Sequence, residues 1–175
     1  MEKRQKSFVQ GAALLGVAGL LVKIIGAVFR IPFANAVGPE GACYYDAAYP
    51  YYSFLLVISS SGLPTAISKQ VSERVALDDY RGAKEVLSVS TTLLGVIGII
   101  TSLAMFFGAN VFAAITSYPE TVYSFRALAP ALFFVSIMCA YRGYLQGMQQ
   151  MAGTALSQIA EQLGKLIIGL TLAIK

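Results

Sequence analysis

Lys23 and Arg30 stand inside an otherwise apolar stretch, LLVKIIGAVFRIPF, at positions 20–33. The chemistry open to them is binding. An ammonium and a guanidinium donate hydrogen bonds to phosphate or carboxylate, the guanidinium through a planar fork. Gly16, Gly19, Lys23, Gly26 and Arg30 follow steps of 3, 4, 3 and 4 residues. At 3.6 residues per turn they line one narrow stripe of a helix, while Leu14, Leu21, Ile24, Ile25 and Val28 lie away from it. In hydrocarbon a central Lys or Arg costs roughly 2.5–3.5 kcal/mol, and each Leu, Ile, Val or Phe returns only about 0.3–0.6 kcal/mol. The stripe is therefore expected to face a bundle interior that holds water or an anionic ligand. Arg30, near the helix end, has the further option of snorkelling to the headgroups.

A second polar face lies near the end of the chain. Gln158, Glu161, Gln162 and Lys165 follow i, i+3, i+4 and i+7. Glu161 and Lys165 have the favourable i, i+4 order for an ion pair. Two readings stay open here: the pair neutralises itself, or Glu161 faces the same interior as Lys23 and meets it or a coupling ion. Arg126 and Arg142 sit at opposite ends of one apolar segment, as headgroup anchors or as site residues.

Catalytic patterns are absent from the sequence. There is no histidine, and the two cysteines, Cys43 and Cys139, form no CxxC and read as small apolar filler. No GxSxG, P-loop or HExxH occurs. The expectation is a chain without enzymatic activity, cofactor or metal site.

The elements that position these residues follow from composition. The 175 residues are 57% hydrophobic and 13% charged, with a net charge of +4. A soluble domain carries about 25% charged residues, so this much apolar surface needs lipid as its solvent. Membrane lipids are the expected surroundings, and the positive charge is read as topology and not as nucleic-acid binding. Five segments reach the roughly 20 apolar residues a span requires: about 8–33, 47–68, 86–108, 122–145 and 155–174. The first resembles a signal peptide, with Ala34-Asn35-Ala36 as a cleavage site, but its apolar run is too long and is read as a retained helix. The fold expected is all-α, a polytopic transmembrane helical bundle joined by short polar connections.

Lys3, Arg4 and Lys6 in the tail (1–7), and Lys69, Arg74, Arg81 and Lys84 after the second span, contrast with connections holding only Glu40, Asp46 and Glu120. The positive-inside rule puts the N-terminus in the cytoplasm of a multi-pass protein of the cell membrane. Pro50, Pro64 and the Ser59-Ser60-Ser61-Gly62 run predict a broken second helix, and Pro130 a weaker kink in the fourth. Tyr44, Tyr45, Tyr49, Tyr51 and Tyr52 read as an aromatic belt at the headgroups, with sugar stacking as a second use.

Three stretches, KSFVQGAALLGVAGLLVKIIGAVFRIPFANAVGPEG, YDAAYPYYSFLLVISSSGLPTAISKQVSE and ALAPALFFVSIMCAYRGYLQGMQQM, resemble the N-terminal part of the stage V sporulation protein B group. These are polysaccharide-biosynthesis flippases of the MOP superfamily, related to MurJ lipid II flippases and more distantly to MATE exporters. The resemblance implies about fourteen helices in two lobes around a cavity. It also implies outward movement of undecaprenyl-pyrophosphate-linked saccharides by alternating access. This chain would supply the first five helices, most of one lobe. It would depend on C-terminal helices it lacks and be unable to complete a transport cycle alone. In the related flippases, cations of the first helix and an acid opening the second serve the cavity, which implies those roles for Lys23, Arg30 and Asp46. Lipid II flippases also carry an arginine before the mid-helix glycine of the second helix, where this chain has FLLVISSSG. An anionic lipid-linked saccharide remains the implied ligand, for peptidoglycan or polysaccharide synthesis and in a spore-forming setting for the cortex. The expected binding set is Lys23, Arg30, Asp46, Glu161, Lys165 and Arg142. The alternatives are a cation-coupled multidrug exporter, whose cavity should be dominated by acids, and a non-transporting scaffold that recruits wall-synthesis enzymes through 69–85.

Overall fold

The computed structural model describes residues 2–60, 62–116 and 118–173, and their side chains except those of 2–10, 12, 60, 168–170, 172 and 173. The expected cationic tail side chains Lys3, Arg4 and Lys6 lie outside the described residues. The element order is α1 (Glu2–Ser60), α2 (Leu63–Ala76), α3 (Tyr80–Phe107), α4 (Ala109–Thr116), α5 (Thr121–Gly147) and α6 (Met151–Ala173). The protein is an all-α helical bundle, with no strand among the described residues.

The helices run further than the sequence reading expects. The connection 34–46 is helical except at Gly38, whose φ of 81° and ψ of 168° interrupt α1 just before Pro39. Ala34, Ala36, Val37 and Ala42 carry nothing that opposes a helix, so only the Gly-Pro pair punctuates. The expected 69–85 connection shrinks to Leu77–Asp79. Asp79 caps α3, its Oδ1 accepting from the Gly82 amide at 2.9 Å, and Arg74 Nη1 donates to its Oδ2 at 3.1 Å. The third expected connection contains α4.

The expected 47–68 helix is divided, but neither proline makes the break. Pro50 and Pro130 lie inside continuous helix. Pro64 opens α2, where its missing donor is an orphan in any case. The break belongs to Gly62, in the left-handed region at φ 76°, with no atom within 4 Å of where a Cβ would stand.

The chain divides into two compact units, Met1–Ala42 with Gln149–Lys175, and Cys43–Met148. In the second, α5 is the central helix, packed by α2, α3 and α4. Its buried face is Phe125, Ala129, Leu132, Ser136, Ala140, Gly143 and Gly147, at steps of three and four. Gly143 and Gly147 let α2 approach at backbone distance. A Cβ at Gly143 would stand 2.8 Å from the Pro64 carbonyl oxygen, and one at Gly147 would stand 2.6 Å from Val71 Cβ. This is the close-packing use of two glycines four residues apart. Gly98 does the same for α3, where a Cβ would meet Ser136 Cβ at 2.9 Å.

Tyr51 is a correction to the aromatic-belt reading. Its ring packs on Phe112 and Phe125, at centroid distances of 5.8 and 5.7 Å, beside the core of Ala48, Met105 and Leu132. Three stretches are long and apolar enough to cross a membrane among the described residues: Ala13–Ala76, α3 and α5. Leu14, Leu21, Ile24 and Val28 on α1, and Val89, Ile100 and Phe134 on α3 and α5, are exposed large apolar side chains, as lipid-facing positions require. The chain is a membrane protein.

Candidate functional site

The first unit holds the cationic face. Helical backbone runs unbroken from Glu2 to Gly38, so Gly16, Gly19, Lys23, Gly26 and Arg30 do fall on successive turns of one side. The packed side of this helix is elsewhere on its circumference. Ala18 is buried, and Gly11 sits against Met151 of α6, whose Cγ would lie 2.6 Å from an added Cβ. Gly16 and Gly19 have no atom within 4 Å of a Cβ position, so the stripe opens onto free space at that level.

Further along the stripe lies a shallow site, widely open, on one face of the helix. A pocket of about 650 Å³ is lined by Gly26, Ala27, Arg30, Ile31, Ala34 and Asn35. These positions form two adjacent columns of the helix, with Arg30 in the middle, Gly26, Ala27 and Ala34 small beside it, and Ile31 and Asn35 completing the lining. Glycine and alanine give the guanidinium room, and Asn35 adds a carboxamide. A guanidinium beside an amide suits a phosphate or another oxyanion. Lys23 lies one turn before Gly26, exposed, on the same side of the helix.

The α6 helix supplies the other wall of this unit. Gln162 reaches Gly26, its Oε1 3.8 Å from where a Cβ would stand. Gln158, Glu161 and Gln162 are half-buried and Lys165 is exposed. The expected binding residues thus divide between the units: Lys23, Arg30, Glu161 and Lys165 belong to the first, Asp46 and Arg142 to the second. Asp46 is exposed on α1 and Arg142 half-buried on α5. Arg126 stacks over Phe106, 5.8 Å from the ring centroid, a use that needs no ligand.

Asn35 and Ala34 join the pocket although the sequence reading placed them in a connection. Their signal was helical spacing from Arg30, Ala34 at i+4 and Asn35 at i+5, legible only once the helix was known to pass Phe33. Among the described residues no group of His, Cys, Asp or Glu is arranged to hold a metal ion. Neither Cys43 nor Cys139 is in a disulfide.

Comparison with known proteins gives consistent relatives. Residues 8–174 match the family described as polysaccharide biosynthesis protein. Stage V sporulation protein B of Bacillus subtilis (strain 168) is 34% identical over 159 residues, covering 90% of this chain and 31% of the relative. The lipid II flippase MurJ of the same organism is 32% identical over 168 residues, covering 91% and 31%. The uncharacterized membrane protein YabM, also from that organism, is 34% identical over 155 residues, covering 87% and 28%. The chain therefore spans less than a third of the length of these relatives. No solved structure matches it. With the match running through both the cationic helix and the last polar one, the chain belongs to the polysaccharide biosynthesis protein family.

Proposed function

We propose that this chain forms the N-terminal, cavity-lining part of a flippase. Its ligand would be an undecaprenyl-pyrophosphate-linked saccharide, a precursor of peptidoglycan or another polysaccharide, carried across the cell membrane by alternating access. The observation that carries the reading is Arg30 on the wall of a 650 Å³ pocket, at the end of a glycine stripe that also bears Lys23. One relative is named a lipid II flippase. The reading needs no enzymatic step.

The physics is that of a charged headgroup crossing a thin apolar layer. A phosphate without partners is least stable at the bilayer midplane. Cations fixed on an open, water-accessible face lower that barrier, and the polyprenyl tail stays in lipid throughout. Charges within a membrane span mark such pathways once a bundle encloses them, and the helices that would enclose Lys23 and Arg30 are part of this reading. Asp46, Glu161, Lys165 and Arg142 complete the polar set in this reading. The N-terminus lies in the cytoplasm, and the spans are about 8–33, 47–68, 86–108, 122–145 and 155–174.

The test is transport by the full-length flippase carrying this segment, reconstituted in vesicles. Outward appearance of a lipid-linked saccharide should exceed that of protein-free vesicles and fall at least tenfold with Arg30→Gln. Movement no faster than in protein-free vesicles would contradict the reading.

A further inference from the structure

Tyr123, Arg126, Pro130 and Phe134 follow steps of three, four and four along α5, and all four are exposed. They share one stripe of the helix, turned away from the buried face of Phe125, Ala129, Leu132 and Ser136. Since α5 is long and apolar enough to cross a membrane, this stripe is its lipid-facing side, and Arg126 is the charged member. Depth decides what that charge meets. The run between Arg126 and Arg142, ALAPALFFVSIMCAY, carries no charge. At 1.5 Å per residue it spans roughly 24 Å, against about 30 Å for the hydrocarbon core. Arg126 therefore stands near the end of the hydrocarbon, within a side chain's reach of the headgroup phosphates.

The side chain is also held in place. Its guanidinium lies over Phe106 of α3, 5.8 Å from the ring centroid, and Phe107 braces Phe106 edge-on at 5.6 Å. The stack itself needs no ligand, but a ring satisfies none of the guanidinium's N–H donors. Tyr123, one turn nearer the helix end and 71% exposed, adds a phenol donor on the same stripe. Donors only on the protein, at the depth where lipids present acceptors only, make a matched pair. We propose that Arg126, held by Phe106 and joined by Tyr123, binds the phosphate of a membrane phospholipid on the lipid-facing side of α3 and α5. All of these residues lie in the second unit, and the inference does not depend on the flippase reading. A freely snorkelling arginine would move out to any headgroup. One stacked on Phe106 stays, so the lipid is retained at a fixed place.

Native mass spectrometry of the full-length protein, released from detergent with added phosphatidylglycerol, counts the lipids it retains. Arg126→Gln should lower the affinity for the most tightly held phosphatidylglycerol by about tenfold, the worth of a charged hydrogen bond. Phe106→Leu, which keeps the apolar bulk and removes the stack, should lower it by about threefold, and it keeps the test standing if the Arg126 variant fails to fold. Lys69→Gln removes an exposed cation of α2 and should change nothing. Unchanged retention in the folded Arg126 or Phe106 variant overturns the site, as it would if another helix of the full-length protein covered the stripe. Equal loss with Lys69→Gln overturns it too, since net charge alone would then hold the lipid. Added undecaprenyl pyrophosphate should leave the retained phosphatidylglycerol in place. Its displacement at matched concentration would assign Arg126 to that lipid and overturn the proposal.

Discussion

Ser59 Oγ and Ser136 Oγ lie 2.6 Å apart, both fully buried, where the end of α1 meets the middle of α5. Ser136 Oγ donates to the Leu132 carbonyl at 2.8 Å, so its one proton is committed and Ser59 is the donor to Ser136. The bond ties α1 to the central helix three residues before Gly62 interrupts the chain.

That direction predicts an asymmetry. Ser136→Ala strands a buried hydroxyl on Ser59 and should cost about 1–3 kcal/mol, while Ser59→Ala leaves Ser136 with its carbonyl partner and should cost about 0.5–1.5 kcal/mol. The double variant should lose less than the sum. Thermal unfolding of the full-length protein in detergent measures all three, and a larger loss from Ser59→Ala would reverse the assignment.

The glycines of α5 and α3 separate close packing from open space. Gly147→Ala places a Cβ 2.6 Å from Val71 Cβ and 2.7 Å from the Ser68 carbonyl oxygen, so it should destabilise by about 1–3 kcal/mol through overpacking. Gly95→Ala, with no atom within 4 Å, should gain up to about 1 kcal/mol from helix propensity. Unfolding midpoints moving in opposite directions are the expected result.

The α2–α3 connection predicts a cap effect. Asp79→Ala removes the acceptor for the Gly82 amide and the partner of Arg74, and should cost about 1 kcal/mol. Asp79→Asn keeps an acceptor oxygen and should recover most of it. Amide hydrogen exchange at Gly82 and Ala83 reads the change locally.

Topology is testable with the native thiols. Cys43 is exposed and falls in the connection assigned to the outer side. In cells producing the Cys139→Ala variant, a membrane-impermeant maleimide should label Cys43 without permeabilisation. Labelling that requires permeabilisation would invert the orientation read from the Lys and Arg bias.

How much of this was legible in the sequence depends on which signals are local. The helical class and the stripe of Gly16 to Arg30 follow from hydropathy and a 3.6-residue period, both carried by one segment. The length of the helices was not legible. Residues such as Lys69, Glu73 and Val75 are polar or mixed enough to read as a connection, yet they continue α2, and the hydrophobic pattern alone does not end a helix at the membrane surface. Prolines misled for a related reason. Pro50 and Pro130 are exposed on their helices, and the break fell at Gly62, where backbone handedness decides. The Gly143–Gly147 seam is visible as two glycines four apart, but its meaning needs Pro64 and Val71 opposite. Tyr51 resembled its neighbours in the tyrosine cluster until Phe112 and Phe125 were placed against it. In the candidate site, Lys23 and Arg30 announced themselves by charge in an apolar run. Asn35 did not, because an uncharged polar residue at a helix end is ordinary until its surroundings are known.

The central claim is that the charge at position 23 serves an anionic headgroup crossing the membrane. The most direct measurement is the rate at which a lipid-linked precursor appears on the outer face, compared for wild-type, Lys23→Gln and Lys23→Arg forms of the full-length flippase at matched abundance. The account predicts a loss of at least tenfold with Gln and recovery of most of the rate with Arg. An unchanged rate with Gln would contradict it.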